Sequence, residues 1–121
     1  MKNYALSRSR RIAARDFATI FAGRQRAGDE RLLLYAAANS LDRTRFGLSV
    51  SKKLGNAVRR ASIKRRLREA FRLSQHDLPI GLDLVLIPQR ESAISSAVAD
   101  YRKSLLELAR RLARRISVAK P

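Results

Sequence analysis

The sequence contains no cysteine and no tryptophan, one histidine, one methionine and only ten acidic residues in 121. The shortage of cysteine, histidine and acids removes whole classes of function. Without cysteine there are no disulfides and no thiolate metal sites, a composition that fits a reducing cytoplasm, the expected compartment. Metal-dependent hydrolysis needs clustered carboxylates or histidines to hold the ion and activate water. The acids here are scattered from Asp16 to Glu107 with no pair at ligand spacing, and His76 reads as a solvated loop residue. Gly47 and Gly55 stand alone, so there is no glycine-rich phosphate cradle, and Ser49 and Ser51 have no histidine placed for a triad. No apolar run reaches the roughly 18 residues that span a bilayer, and the N-terminus lacks the apolar core of a signal peptide. The polypeptide by itself is not expected to catalyse a reaction.

What is abundant is positive charge. Twenty-seven lysines and arginines give a formal net charge of +17, while 45% hydrophobic content argues for a folded chain. The length fits one domain over residues 1–121, large enough for a hydrophobic core. Such charge draws polyanions. Nucleic acid is the first expectation and an anionic membrane surface the poorer second. Residues 1–12, with Arg8, Arg10 and Arg11, read as a basic arm, mobile unless something anionic pins it.

The charge is densest in Lys52–Arg72. Lys52, Lys53, Arg59, Arg60, Lys64, Arg65, Arg66, Arg68 and Arg72 face a single acid, Glu69. Asn56 is placed to cap a helix, because its side chain can accept from the free amides of the first turn. Ile63, Leu67, Ala70 and Phe71 recur at three- and four-residue spacing as an apolar stripe. Arg60, Lys64 and Arg68 form a second stripe, widened by Arg65 and Arg72. Like charges four apart repel by a few tenths of a kcal/mol per pair, so a packed core must hold this helix and an external polyanion offsets the repulsion. One cation per turn, about 5–6 Å apart, suits a row of phosphates.

Around it the chain reads as a short helix over Arg15–Ala22, stopped by Gly23, then a polar loop over residues 23–30. Arg31–Ala38 is an apolar strand. Arg45–Ser51 alternates, with Phe46, Leu48 and Val50 on one face and the small, polar Arg45, Gly47, Ser49 and Ser51 on the other, which leaves room for something to lie against the sheet. A loop over His76–Gly81 precedes a strand at Leu82–Ile87, and a last helix starts at Ser95 or Ser96 and runs to about Ser117, with Val98, Tyr101, Leu105, Leu108, Leu112 and Ile116 inward. The class is α+β, one sheet with helices packed on it. Phe17 and Phe21 fit a core stripe as well as, together with Tyr35, a platform for stacking bases of single-stranded nucleic acid. Composition also fits a general structural RNA-binding protein of ribosomal type.

Phe46-Gly-Leu-Ser-Val-Ser-Lys-Lys-Leu-Gly-Asn-Ala-Val58, running into Arg60, Ile63-Lys64-Arg65 and Arg68-Glu69-Ala70-Phe71-Arg72, closely resembles the protein subunit of bacterial ribonuclease P. The resemblance extends over nearly the whole chain. It implies an α-β sandwich of order αβββαβα with a left-handed crossover between parallel strands, against the usual hand. It implies a 1:1 partnership with a catalytic RNA that carries the Mg²⁺-dependent removal of the 5′ leader from precursor tRNA. It places Lys52, Lys53, Asn56, Arg60, Lys64, Arg65 and Arg68 against that RNA, and Phe17, Phe21, Tyr35, Arg45 and Ser49 in a cleft for the leader. The chain departs from the family in two places. Arg60-Ala61-Ser62 stands where Arg-Asn-Arg is usual, with Arg59 and Arg66 as nearby extra charges, and Pro88-Gln89 intervenes before Arg90.

Overall fold

Leu82–Pro88 is the strand around which the others are arranged. In the computed structural model, which describes residues 3–90 and 92–119, it pairs antiparallel with Leu32–Ala38 and parallel with Arg45–Leu48. In chain order the elements are α1 (Phe17–Ala22), β1 (Arg26–Gly28), β2 (Leu32–Ala38), β3 (Arg45–Leu48), α2 (Ala57–Ser74), β4 (Leu82–Pro88) and α3 (Val98–Ala119). This is the α+β order αβββαβα, and the sheet runs β1-β2-β4-β3 with α2 as the crossover between the parallel pair.

Alternation along the strands sends side chains to two unequal faces. Leu34, Phe46, Leu84 and Leu86 enter the main core, which α2 and α3 close with residues such as Ile63, Leu67, Phe71, Tyr101 and Leu105. Phe46 stacks on Phe71 with ring centroids 4.2 Å apart. Each large apolar side chain buried this way contributes about 1.5–3 kcal/mol, far more than the like-charge repulsion along α2 removes. The opposite face carries a smaller cluster of Ile12, Ile20 and Val85, flanked by Phe17, Phe21 and Tyr35. Among the described residues, the short α1 and the segment at Ile12 lie on that side.

Asn56 caps α2 as the sequence predicts, its Oδ1 accepting the Arg59 amide at 2.9 Å. Gly55 before it has φ 128, a conformation that side chains rarely adopt. Several boundaries differ from the sequence reading. Residues 23–30 are not all loop, because Arg26–Gly28 adds to β2 as an edge strand. β3 stops at Leu48, although Ser49 still donates its amide to the Leu86 carbonyl (3.0 Å). Ser51 is instead the cap of a 3-10 turn at Lys52–Leu54. The last helix starts at Val98, not Ser95 or Ser96, because Asp100 Oδ2 accepts the Ala97 amide (2.9 Å) and sets the first turn there. α1 begins at Phe17, two residues later than expected, after a 3-10 turn at Ala14–Asp16. Residues 3–12 run alongside the C-terminal end of α2 and the β3 edge. Arg72 Nη1 donates to the Tyr4 carbonyl (3.2 Å), Gln75 Nε2 to the Ala5 carbonyl (3.3 Å), and Arg11 forms a parallel bridge with Phe46. Among the described residues no helix is long and apolar enough to cross a membrane.

Candidate nucleic-acid interface

The strand register sets out the α1 side of the sheet in rows. Gly47, Val85, Tyr35 and Arg26 are neighbours across β3, β4, β2 and β1. α1 lies over this row, with Phe17 on Gly47 and Phe21 edge-on to Tyr35 at 4.8 Å between ring centroids. Phe17 and Phe21 are themselves edge-to-face at 6.3 Å. All three aromatic residues are half-buried, packed on one side and open on the other. The small face of β3 that the sequence leaves room beside is therefore filled first by the chain's own Phe17.

On one side of that row, Arg45 faces Asp83. Its Nε donates to Oδ1 at 2.9 Å and its Nη2 to Oδ2 at 2.7 Å, while Asn39 Nδ2 adds a third bond at 2.9 Å. Burial pushes the Asp83 carboxyl up, but the bonds from Arg45 and Asn39 outweigh it and hold the group below the usual carboxylate range. On the other side lie Ser49, Ile87 and Leu33, all half-buried, leading toward the exposed Lys52 and Lys53.

The cation row of α2 approaches this cleft around the β3 edge. Lys64 and Arg68 line a cavity of about 250 Å³ together with Arg11, Phe17, Gly47 and Leu48. Sequence reading kept the helix row and the phenylalanines apart, and the structure brings them together. Arg11 belongs to the site as well; its place in a cluster of arginines was visible in the sequence, but its bridge to Phe46 was not. Arg60 is tethered by Nε to the Gly55 carbonyl (3.2 Å), Arg65 is exposed on the outer face, and Asn56 is the helix cap. Glu69, the lone acid of α2, is taken by Arg72, whose hydrogen bonds hold its carboxyl below the ordinary range. Among the described residues Arg60, Lys64, Arg65 and Arg68 form no ion pair.

Arg66 is a different matter. Its Nη1 donates to the carbonyls of Ala93 (3.3 Å), Ile94 (3.4 Å) and Ser96. It clamps the segment leading into α3.

The family model for ribonuclease P matches residues 6–113. The chain belongs to the ribonuclease P protein family. The ribonuclease P protein component of Thermotoga petrophila is 35% identical over 108 residues, covering 87% of this chain and 92% of that protein. That of Aliivibrio salmonicida is 40% identical over 114 residues, covering 93% and 96%. Among solved structures, the ribonuclease P protein of Thermotoga maritima superposes with a TM-score of 0.77 at 32% identity, over 84% of this chain and 96% of that one. A Staphylococcus aureus ribonuclease P protein mutant, described as defective in mRNA degradation activity, superposes with a TM-score of 0.74 at 30% identity, over 88% and 89%. The α+β architecture of the ribonuclease P proteins is thus the architecture here, and the chain is a protein component of ribonuclease P.

Proposed function

We propose that this chain is the non-catalytic RNA-binding subunit of ribonuclease P, working 1:1 with a catalytic RNA in the cytoplasm. Arg60, Lys64, Arg65 and Arg68 of α2, with Lys52, Lys53 and Asn56 before them, dock on that RNA. Phe17, Phe21 and Tyr35 hold the 5′ leader of precursor tRNA, with Ser49 and Arg45 on either side of the aromatic row. Arg45 is already committed to Asp83 through Nε and Nη2, which leaves Nη1 for the leader. One observation carries the reading: half-exposed aromatic rings lie at the rim of a row of cations without carboxylate partners. Single-stranded RNA is held by this pair of features, phosphates on the cations and bases stacked on the rings.

Mg²⁺ belongs to the RNA in this scheme. Among the described residues no three histidines or carboxylates lie together as a group that could hold a metal ion. The polypeptide acts by positioning substrate and screening phosphate repulsion, which lowers the Mg²⁺ the RNA needs.

Reconstitution with a bacterial ribonuclease P RNA tests this. The protein is expected to restore 5′ processing at low Mg²⁺, and Phe17→Ala to lose affinity increasingly as the leader lengthens, with no loss on leaderless substrate. Equal loss on leaderless substrate would assign Phe17 to the core alone. Incubated with Mg²⁺ and precursor tRNA or mRNA but no catalytic RNA, the polypeptide is expected to be inert; the mRNA arm asks whether the activity named for the S. aureus protein extends to this chain.

A further inference from the structure

At the far end of the aromatic row, the free edge of the sheet carries two arginines that the leader cleft does not use. Arg24, Arg26, Phe21 and Tyr35 line a cavity of about 420 Å³, within the size range of small-ligand sites. Arg26 Nη1 donates to the Tyr35 hydroxyl at 3.3 Å, so guanidinium and phenol ring form one surface. α3 steadies the strand from the other side, Arg115 Nη1 donating to the Arg26 carbonyl at 2.7 Å.

Arg24 is the unusual member. It has φ 56, the left-handed conformation that closes a helix and that glycine occupies without strain. Glycine is present one residue earlier, yet Gly23 keeps a right-handed φ of −69 and leaves the turn to Arg24. The Arg24 amide donates to the Phe21 carbonyl (3.1 Å), which fixes the turn and sets its side chain at the cavity. An arginine held where glycine is favoured is strain of the kind that gathers at functional positions. Neighbouring acids do not compensate it. Asp29 accepts from the Arg31 and Leu32 amides and Glu30 pairs with Arg31, while Arg24 and Arg26 form no ion pair among the described residues.

We infer that Arg24 and Arg26 bracket one backbone phosphate of the 5′ leader, with its base against Phe21 and Tyr35, at the exit of the cleft. The inference rests on the leader reading above and extends it. Two guanidinium groups beside two aromatic rings match one nucleotide of single-stranded RNA, and the site continues the row that begins with Phe17 on Gly47. Arg26 and Gly47 lie three strand spacings apart, about 15 Å. A leader that enters beside Phe17 therefore reaches the arginines only after crossing the sheet, and the site reads leader length.

The test uses holoenzyme reconstituted with the catalytic RNA and precursor tRNAs whose leaders are shortened one nucleotide at a time. Arg24→Ala/Arg26→Ala is expected to match the parent on short leaders and to bind on the order of three- to tenfold more weakly once the leader spans the row. The log–log salt slope should fall by about 0.7, the value for one neutralised phosphate on a single strand. A neutral methylphosphonate placed at successive leader positions should weaken the parent at one position and leave the double variant unaffected there. Arg24→Gly, which relieves the backbone strain, should keep or raise the unfolding temperature while weakening long-leader binding, and so separates binding from folding. Parental affinity of the double variant at every leader length would overturn the inference, as would an unchanged methylphosphonate effect. A loss equal on all leaders, and removed by competing inorganic phosphate, would also overturn it by revealing a general anion site. If Phe17→Ala still shows leader-dependent loss in those cases, the leader reading stands without the inference; if it does not, the leader reading itself has failed.

Discussion

Phe17 lies so close on Gly47 that a Cβ built at position 47 would fall 2.3 Å from the ring's Cζ and 2.4 Å from Cε1. No side chain but hydrogen leaves the ring where it is. Gly47→Ala is expected to displace Phe17 and reproduce the leader-dependent loss of Phe17→Ala, while binding of the catalytic RNA stays at the parental level. Because the ring is half-exposed, the stability change should stay within about 1 kcal/mol. Leader affinity measured beside thermal unfolding checks this, and parental leader affinity in Gly47→Ala would remove Phe17 from the cleft.

Arg60→Ala/Lys64→Ala/Arg68→Ala is expected to weaken binding to the catalytic RNA and to lower cleavage most at limiting Mg²⁺. Each lost single-strand phosphate contact should flatten the log–log salt slope by about 0.7. Unchanged holoenzyme activity at low salt and low Mg²⁺ would refute the docking role of α2.

Asp83 makes stability fall on the acid side. Its folded-state pKa lies below that of the unfolded chain, so the contribution is fully present above the unfolded value of about 3.9 and fades as pH drops through the folded one. Asp83→Asn is expected to lose about 1–3 kcal/mol at neutral pH. Urea unfolding at pH 7, 4 and 3 should show the gap between parent and variant closing toward the lowest pH. A constant gap would assign the loss to packing.

Arg66→Ala should free the segment 93–96 that its guanidinium holds through three carbonyls. Faster amide exchange in that segment and a loss of about 1–3 kcal/mol are expected, with affinity for the catalytic RNA falling no further than the loss of one distant positive charge explains. A large affinity loss without faster exchange would place Arg66 on the RNA.

α2 was legible in the sequence because every signal agreed. Asn56 caps, Ile63, Leu67 and Phe71 face the core, and the cations take what is left. β1 was not legible, since three residues reading Arg-Ala-Gly carry no alternation and become a strand only because β2 offers its edge. The convergence of Lys64, Arg68, Arg11 and Phe17 on one cavity depends on β3 being the opposite edge, a fact of sheet order that no local pattern records. Arg66 shows the converse limit, because its spacing is that of the binding row's neighbours while its partners lie about thirty residues away.

The two outer strands share one further property. Arg11 bridges β3 at Phe46, and Arg115 occupies the outward carbonyl of Arg26 on β1. Open strand edges are templates for another molecule's strand, and here each is covered from a remote part of the chain, β3 by the backbone at Arg11 and Ile12 and β1 by the Arg115 guanidinium. Arg115→Ala should therefore open the β1 edge to a second copy of the chain and cause precipitation before it causes unfolding.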